Sequence, residues 1–238
     1  MALTFNSGHA LAGDVTHFIA VDAGALVEVK SGSLSFTVNG SASFGTGTYG
    51  EHLRTAGSGF SPDGASWTPA IACDTASSGW SVFVVLNGVT SIAAGSGPIF
   101  DTDNSYGPNI QIDPIRPGQG DNTWYGTGTL SVSGAACSIA MTRAAGDSST
   151  TVAYKNGSSS VSSTTGFGNS GGTIVSVGGN SSGASIDMNV VYIVVFNKVL
   201  TGSEISDLHS SLGSGTFALL STGSTSNPHR MRNLLGVG

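Results

Sequence analysis

The sequence predicts an all-β fold, a sandwich of two antiparallel sheets with one short C-terminal helix. Three observations predict it. Short runs of β-branched and aromatic residues alternate with Gly and Ser punctuation along the whole chain, the spacing of a sandwich. Asn156-Gly157 separates two such runs and supplies the positive φ angles of a two-residue hairpin turn. Thr201-Gly202-Ser203-Glu204 forms a capping box, in which the Thr201 hydroxyl and the Glu204 carboxylate cap each other's backbone.

The strands follow from the runs. They are expected at Thr16–Val21, Leu26–Lys30, Leu34–Val38, Trp80–Leu86, Pro98–Phe100, Asn109–Ile115, Thr129–Val132, Cys137–Thr142, Thr151–Lys155, Gly172–Val177 and Met188–Phe196. In Cys137–Thr142 the residue types alternate as in a half-buried strand. A weak strand near Ser160–Ser163 completes the Asn156-Gly157 hairpin. After the capping box, Ile205, Leu208 and Leu212 share one helical face, and Gly213 ends the run. Residues 1–220 are read as a single sandwich domain. Residues 221–238, rich in Ser, Thr, Gly and Asn, are read as a tail, or as an arm reaching a neighbouring subunit. Such an arm would carry Arg230 and Arg232, with Leu234 and Leu235 as its apolar anchor.

Composition narrows the function. Of 238 residues only 9% are charged and 39% are hydrophobic. Globular domains carry about 25% charged residues, so the surface must be built from Ser, Thr, Asn and Gly. A net charge of −6 with eight Lys and Arg in all leaves no basic stripe for nucleic acid and none for an anionic membrane. No window approaches a membrane span, and the N-terminus lacks the pattern of a secretory signal; synthesis in the cytoplasm is expected. Cys73 and Cys137 are too few for a disulfide framework and read as two buried thiols.

Several segments together resemble the laminin-G-like, concanavalin A-like jelly rolls. Gly79–Val85 resembles the strand that opens that family's core. Ser138–Arg143 and the Val152–Ser158 hairpin resemble two further elements, and Thr173–Gly179 a fourth. Tyr192–Ile205 resembles the closing signature, a buried last strand running into a capped helix. Ala25–Gly32 and Tyr49–Leu53 resemble segments near the start of such domains in tailed-bacteriophage proteins, with Glu28 where Asp is usual. The resemblance covers roughly residues 10 to 215 and implies the jelly-roll fold. It implies less about activity, because this fold hosts lectins, adhesion modules, glycosidases and virion components alike.

Catalysis finds little support in the residues. Retaining glycosidases need two carboxylates about 5–5.5 Å apart. The chain holds only Glu28, Glu51 and Glu204, in no paired pattern, and Glu204 belongs to the helix cap. No enzyme is expected and no catalytic residue is assigned, although spacing alone leaves a Ser-His-Asp triad open. Calcium, the cofactor the resemblance implies, would fit Asp101, Asp103 and Asn104 in a loop after a strand, with Asp121, Asn122 or Asp187 as partners in space. The same run also reads as an Asx-rich turn. For sugar, the best candidates are Trp124, Tyr125 and Asn122 in a polar loop; Trp124 also reads as a residue packed under a loop or against another subunit. Trp80 is expected in the core.

The leading expectation is therefore a non-enzymatic virion protein displayed as a decoration on a bacteriophage capsid surface. Its partners would be the major capsid protein or other virion proteins, and oligomerisation is expected on a symmetric shell. The alternative is a carbohydrate-binding module whose partner is a surface glycan.

Overall fold

In the longest apolar runs every side chain has somewhere dry to go. The structure, a computed structural model, describes residues 3–55, 64–73, 79–92, 99–102, 108–112, 115–119, 123–124, 132, 134–145, 150–163, 172–178, 186–214 and 217–221. In chain order the first strands are β1 (Val15–Asp22), β2 (Ala25–Glu28), β3 (Ser35–Val38), β4 (Ser43–Gly47), β5 (Gly50–Arg54), β6 (Ala65–Cys73), β7 (Trp80–Ile92) and β8 (Phe100–Thr102). There follow β9 (Pro108–Ile112), β10 (Ile115–Gln119), β11 (Thr123–Trp124), β12 (Cys137–Arg143), β13 (Thr151–Lys155), β14 (Ser158–Ser163), β15 (Gly172–Val177), β16 (Ile186–Phe196) and the helix α1 (Gly202–Gly213).

The main sheet runs β14-β13-β12-β7-β16-β1-β2, with β5 also paired to β16 and β4 to β5. The facing sheet runs β3-β6-β15-β8. A ribbon, β11-β10-β9, extends it: Ile99 N donates to Ile110 O at 3.2 Å beside β8. The ladders are antiparallel. This is the sandwich of two antiparallel sheets with one helix that the residue pattern predicts.

Between the sheets lie Val82, Val84, Leu86, Ile139, Met141, Ile193 and Val195, packed with Trp67, Ile71, Phe100 and Ile174. The opposite face of the same strands is also buried: Phe83, Val85, Val194 and Phe196 pack under Ile205, Leu208 and Leu212 of α1 and under Phe217 and Leu219. A sheet covered on both faces needs near-continuous apolar strands instead of alternating ones. Val82–Leu86 and Val190–Phe196 are such strands. Phe217 is the centre of the second layer. It stacks on Phe83 (5.9 Å between centroids) and on Tyr192 (5.2 Å), and meets Phe18 edge-on at 5.8 Å. The N-terminal segment closes this layer. Phe5 bridges Leu220, Asn6 N donates to Leu219 O at 2.9 Å, and Ser221 N donates to Thr4 O at 2.8 Å.

The turn and cap chemistry is as expected. Asn156 (φ 51°) and Gly157 (φ 82°) form the two-residue turn between β13 and β14. Thr201 Oγ1 accepts from Glu204 N at 3.2 Å, and Glu204 Oε2 accepts from Thr201 N at 2.8 Å. Trp80, Cys73 and Cys137 are buried, and both cysteines are free thiols. Burial pushes Cys73 up to about 12 and Cys137 to about 11, the latter moderated by Lys155.

The structure corrects the strand list as follows, while residues 129–131 of the expected strand Thr129–Val132 lie outside the described residues. Asn109–Ile115 is not one strand: the run divides into β9 and the start of β10, which pair through Ile112↔Ile115. Asp101 and Thr102 lie within β8 and not in a loop after it. The strands β4 and β5 carry no alternating apolar pattern and are not predicted by the sequence; β6 does alternate, with Ala65, Trp67, Ile71 and Cys73 buried, but Pro69 interrupts the run. In β6, Pro69 cannot donate to a ladder; it sits just past the last β3 pair, Ser35↔Thr68, and beside the shift between Ile174 and Ser176 in the β15 ladder.

Candidate functional site: a polar face on β5, β7 and β16

The second half of β16 pairs with β1 and the first half with β5. The ladder between β16 and β7 shifts register at Asp187/Met188, Met188/Val190 and Val190/Tyr192. Such bulges re-aim side chains. Thr55 secures the irregular stretch: its N donates to Met188 O at 2.9 Å, Met188 N donates to its Oγ1 at 3.1 Å, and its hydroxyl donates to Ile186 O. Ile186, Met188 and Val190 then fill the core between the sheets. Strand alternation sets Asp187 and Asn189 on the other face, the side of the helix layer.

On that face Arg54 stands opposite Asn189 in the ladder and forks the Asp187 carboxylate. Arg54 Nε donates to Oδ1 at 3.2 Å and Nη2 to Oδ2 at 2.9 Å. The side chains are 51% and 12% exposed, so the pair forms a rim open to solvent on the arginine side. Its bidentate hydrogen bonds, with Asp187's charge, raise the Arg54 pKa further and fix the fork geometry. Two residues back, His52 is buried. Burial holds its imidazole below the usual histidine range, and the Arg54 charge adds to this. Its Nδ1 lies 3.0 Å from Asn87 Nδ2, and a neutral ring can accept that N–H.

Asn87, in β7, ties the tip of the β4–β5 hairpin to this face. Its Oδ1 accepts from Tyr49 N at 2.7 Å and its Nδ2 donates to Gly50 O at 2.9 Å. Half-buried Tyr49 is thereby held beside the polar group. Burial raises the Tyr49 phenol, with a further contribution from Cys137. One atom in the group is unsatisfied: Asn189 Oδ1 is buried and has no hydrogen-bond partner. A buried acceptor without a partner costs about 1–3 kcal/mol and calls for an explanation.

The residues singled out from sequence stand elsewhere. Trp124 is in β11, in register with Gly118 of β10; Tyr125 and Asn122 lie outside the described residues. Asp101 is in β8, in register with Ser176; Asp103, Asn104 and Asp121 lie outside the described residues, as do Arg230, Arg232, Leu234 and Leu235. Asp187, considered as a calcium partner, is engaged by Arg54. Among the described residues no group of three His, Cys, Asp or Glu stands together, and no helix is long and apolar enough to cross a membrane. Sequence reasoning missed Arg54, His52, Asn87 and Asn189. The available signal was a set of polar residues inside otherwise apolar strands, Asn87 after Trp80–Leu86 and Asn189 within Met188–Phe196.

A second imidazole contact, this one to a hydroxyl, fastens the helix. Ser138 Oγ lies 3.0 Å from His209 Nδ1, and Asn156 Oδ1 accepts from Ser138 N at 3.0 Å. Ser138 is 1% exposed, and burial lowers the His209 pKa.

No protein-family model and no curated protein sequence matches the chain. Solved structures do. Domain 4 of an extracellular GH43 arabinanase from Geobacillus stearothermophilus, in complex with arabinotriose, superposes with TM-score 0.61 at 16% identity, over 82% of this chain and 97% of that one. The binding domain of Paraclostridial mosquitocidal protein 1 gives 0.58 at 12% identity, over 84% and 53%. Trypanosoma rangeli sialidase in complex with sialic acid gives 0.59 at 16%, over 85% of this chain but 34% of that one. The chain thus spans one whole domain of the first, about half of the second and about a third of the third. At these identities the likeness establishes the β-sandwich fold, in keeping with the jelly-roll expectation.

Proposed function

We propose that the chain is a non-catalytic binding domain that recognises a carbohydrate on the face formed by Arg54, Asp187, Asn189 and His52. The observation that carries this reading is the buried, unpartnered Asn189 Oδ1 beside the forked Arg54–Asp187 pair. A sugar hydroxyl that reaches it would satisfy it. The arabinotriose complex of a whole-domain structural neighbour supports the class of ligand and carries no residue assignment. Asn189→Leu tests the reading, because it removes the acceptor while keeping a similar volume. Binding of oligosaccharides on a glycan array should fall about tenfold or more, a change worth about 1.4 kcal/mol. The melting midpoint should hold or rise, since a buried unsatisfied acceptor has gone. Unchanged binding with a lowered midpoint would make Asn189 a structural residue and sink the assignment. Trp124→Ala run alongside separates this face from the β11 ribbon: loss of binding in that variant alone moves the site there.

A particle-borne setting is the second reading, with a major capsid protein as partner and self-association on a symmetric shell. The low charge and the Ser-, Thr- and Gly-rich composition support it. Copurification with virus particles at a fixed ratio to the capsid protein tests it. Calcium at Asp101, Asp103 and Asn104 is likewise a proposal, checked by melting with and without a chelator.

A further inference from the structure

The hydrogen-bonding inventory of the same face narrows the ligand, and we infer that it takes an uncharged vicinal diol of a neutral sugar and rejects sialylated or sulfated glycans. This inference rests on the carbohydrate reading above. Among the described residues, the guanidinium on this face is that of Arg54, and it is already committed, with two N–H groups on Asp187 at 3.2 and 2.9 Å. An anionic ligand would have to draw Arg54 away and leave the Asp187 carboxylate, itself 12% exposed, without its partner. Leaving a partly buried carboxylate without its partner is unfavourable. His52 is a poor replacement cation, because burial and the Arg54 charge both lower its pKa. The overall charge of −6 adds a long-range repulsion.

The unsatisfied atom points to the same conclusion. Asn189 Oδ1 is an acceptor, so its partner must donate. Ionised carboxylates and sulfates have only acceptors to offer there. A hydroxyl both donates and accepts. One hydroxyl of a vicinal pair can donate to Asn189 Oδ1. Its neighbour can accept from the remaining Arg54 N–H groups, or donate to the lone pairs that Asp187 keeps. The Arg54–Asp187 fork survives binding and positions the pair.

The test uses the full chain on an array carrying neutral arabino-, xylo-, gluco-, galacto- and manno-oligosaccharides beside sialylated and sulfated ones, read at about 0.05 and about 0.5 M NaCl. Binding to neutral glycans that changes less than about twofold between the two salts is the expected result. Exposed charge–charge attraction is screened over this range, so a salt-insensitive complex is one without a charged ligand. Binding confined to sialylated or sulfated glycans, and weakened by salt, would overturn the inference and leave the carbohydrate reading standing. Binding to none of them would overturn the carbohydrate reading itself, and this inference with it. Arg54→Lys adds a check within the site. It keeps the charge and loses the planar fork, and should weaken neutral-glycan binding several-fold; an undiminished affinity counts against the fork's positioning role.

Discussion

Asn87 does the work of a short linker. One amide side chain accepts from Tyr49 N, donates to Gly50 O and meets His52 Nδ1. It thereby anchors a hairpin that β16 holds through only two ladder pairs, Asn189↔Arg54 and Val190↔Leu53. The hairpin in turn makes room for it. A Cβ on Gly47 would lie 2.6 Å from the Asn87 amide carbon, and one on Gly45 would lie 2.7 Å from His52 Nε2. These two glycines explain why β4 reads so weakly as a strand: space for neighbouring polar side chains took precedence over β propensity. Asn87→Ala should cost about 1–3 kcal/mol, seen as a lower denaturant midpoint, and should also weaken glycan binding as the hairpin loosens. Stability within about 0.3 kcal/mol of the parent would show that the hairpin is held by other means.

At the scale of elements, α1 gathers several independent determinants. The capping box sets its start, Lys198 Nζ donates to Glu204 Oε1 at 2.6 Å, and Ile205, Leu208 and Leu212 cover the outer face of the main sheet. The β13–β14 turn comes close to it: a Cβ on Gly157 would stand 2.9 Å from Ser206 Cα. Glu204 faces a burial penalty, but hydrogen bonds from Lys198 and Thr201 outweigh it and lower its pKa. Thr201→Ala should destabilise the fold by about 1 kcal/mol, which thermal melting would register as a drop of a few degrees at this chain length. An unchanged midpoint would mean that tertiary packing alone holds the helix in place.

Across the whole molecule, the two buried faces of the main sheet make acid the natural destabilising agent. His17, His52 and His209 all have pKa values lowered first of all by burial, and His17 Nδ1 is buried without a hydrogen-bond partner. The neutral rings are favoured by the fold, so the unfolded chain binds more protons below its histidine pKa of about 6.5. This contribution is complete above about pH 6.5 and is lost as pH falls through the lower folded values. Glu28 adds a second stage. Burial opposes its ionisation, but hydrogen bonds from Ser31 and Ser33 prevail and lower its pKa. Its contribution is present above about pH 4.3 and is lost below that. Denaturant midpoints taken from about pH 8 to pH 3 should fall in two steps; a flat response from pH 7.5 to 5.5 would contradict the histidine assignment.

The determinants within reach of sequence were local ones. The Asn156-Gly157 turn, the Thr201 cap and the doubly buried runs Trp80–Leu86 and Val190–Phe196 each carry their cause within a few neighbouring residues, through φ preference, a reciprocal cap or apolar continuity. The polar face was decided by tertiary structure. Arg54 and Asp187 are 133 residues apart, and Asn87 meets a hairpin 37 residues earlier in the chain. Register shifts in the β7–β16 ladder help decide which side chains turn toward that hairpin, and register across a bulge depends on the partner strand instead of the local residue pattern.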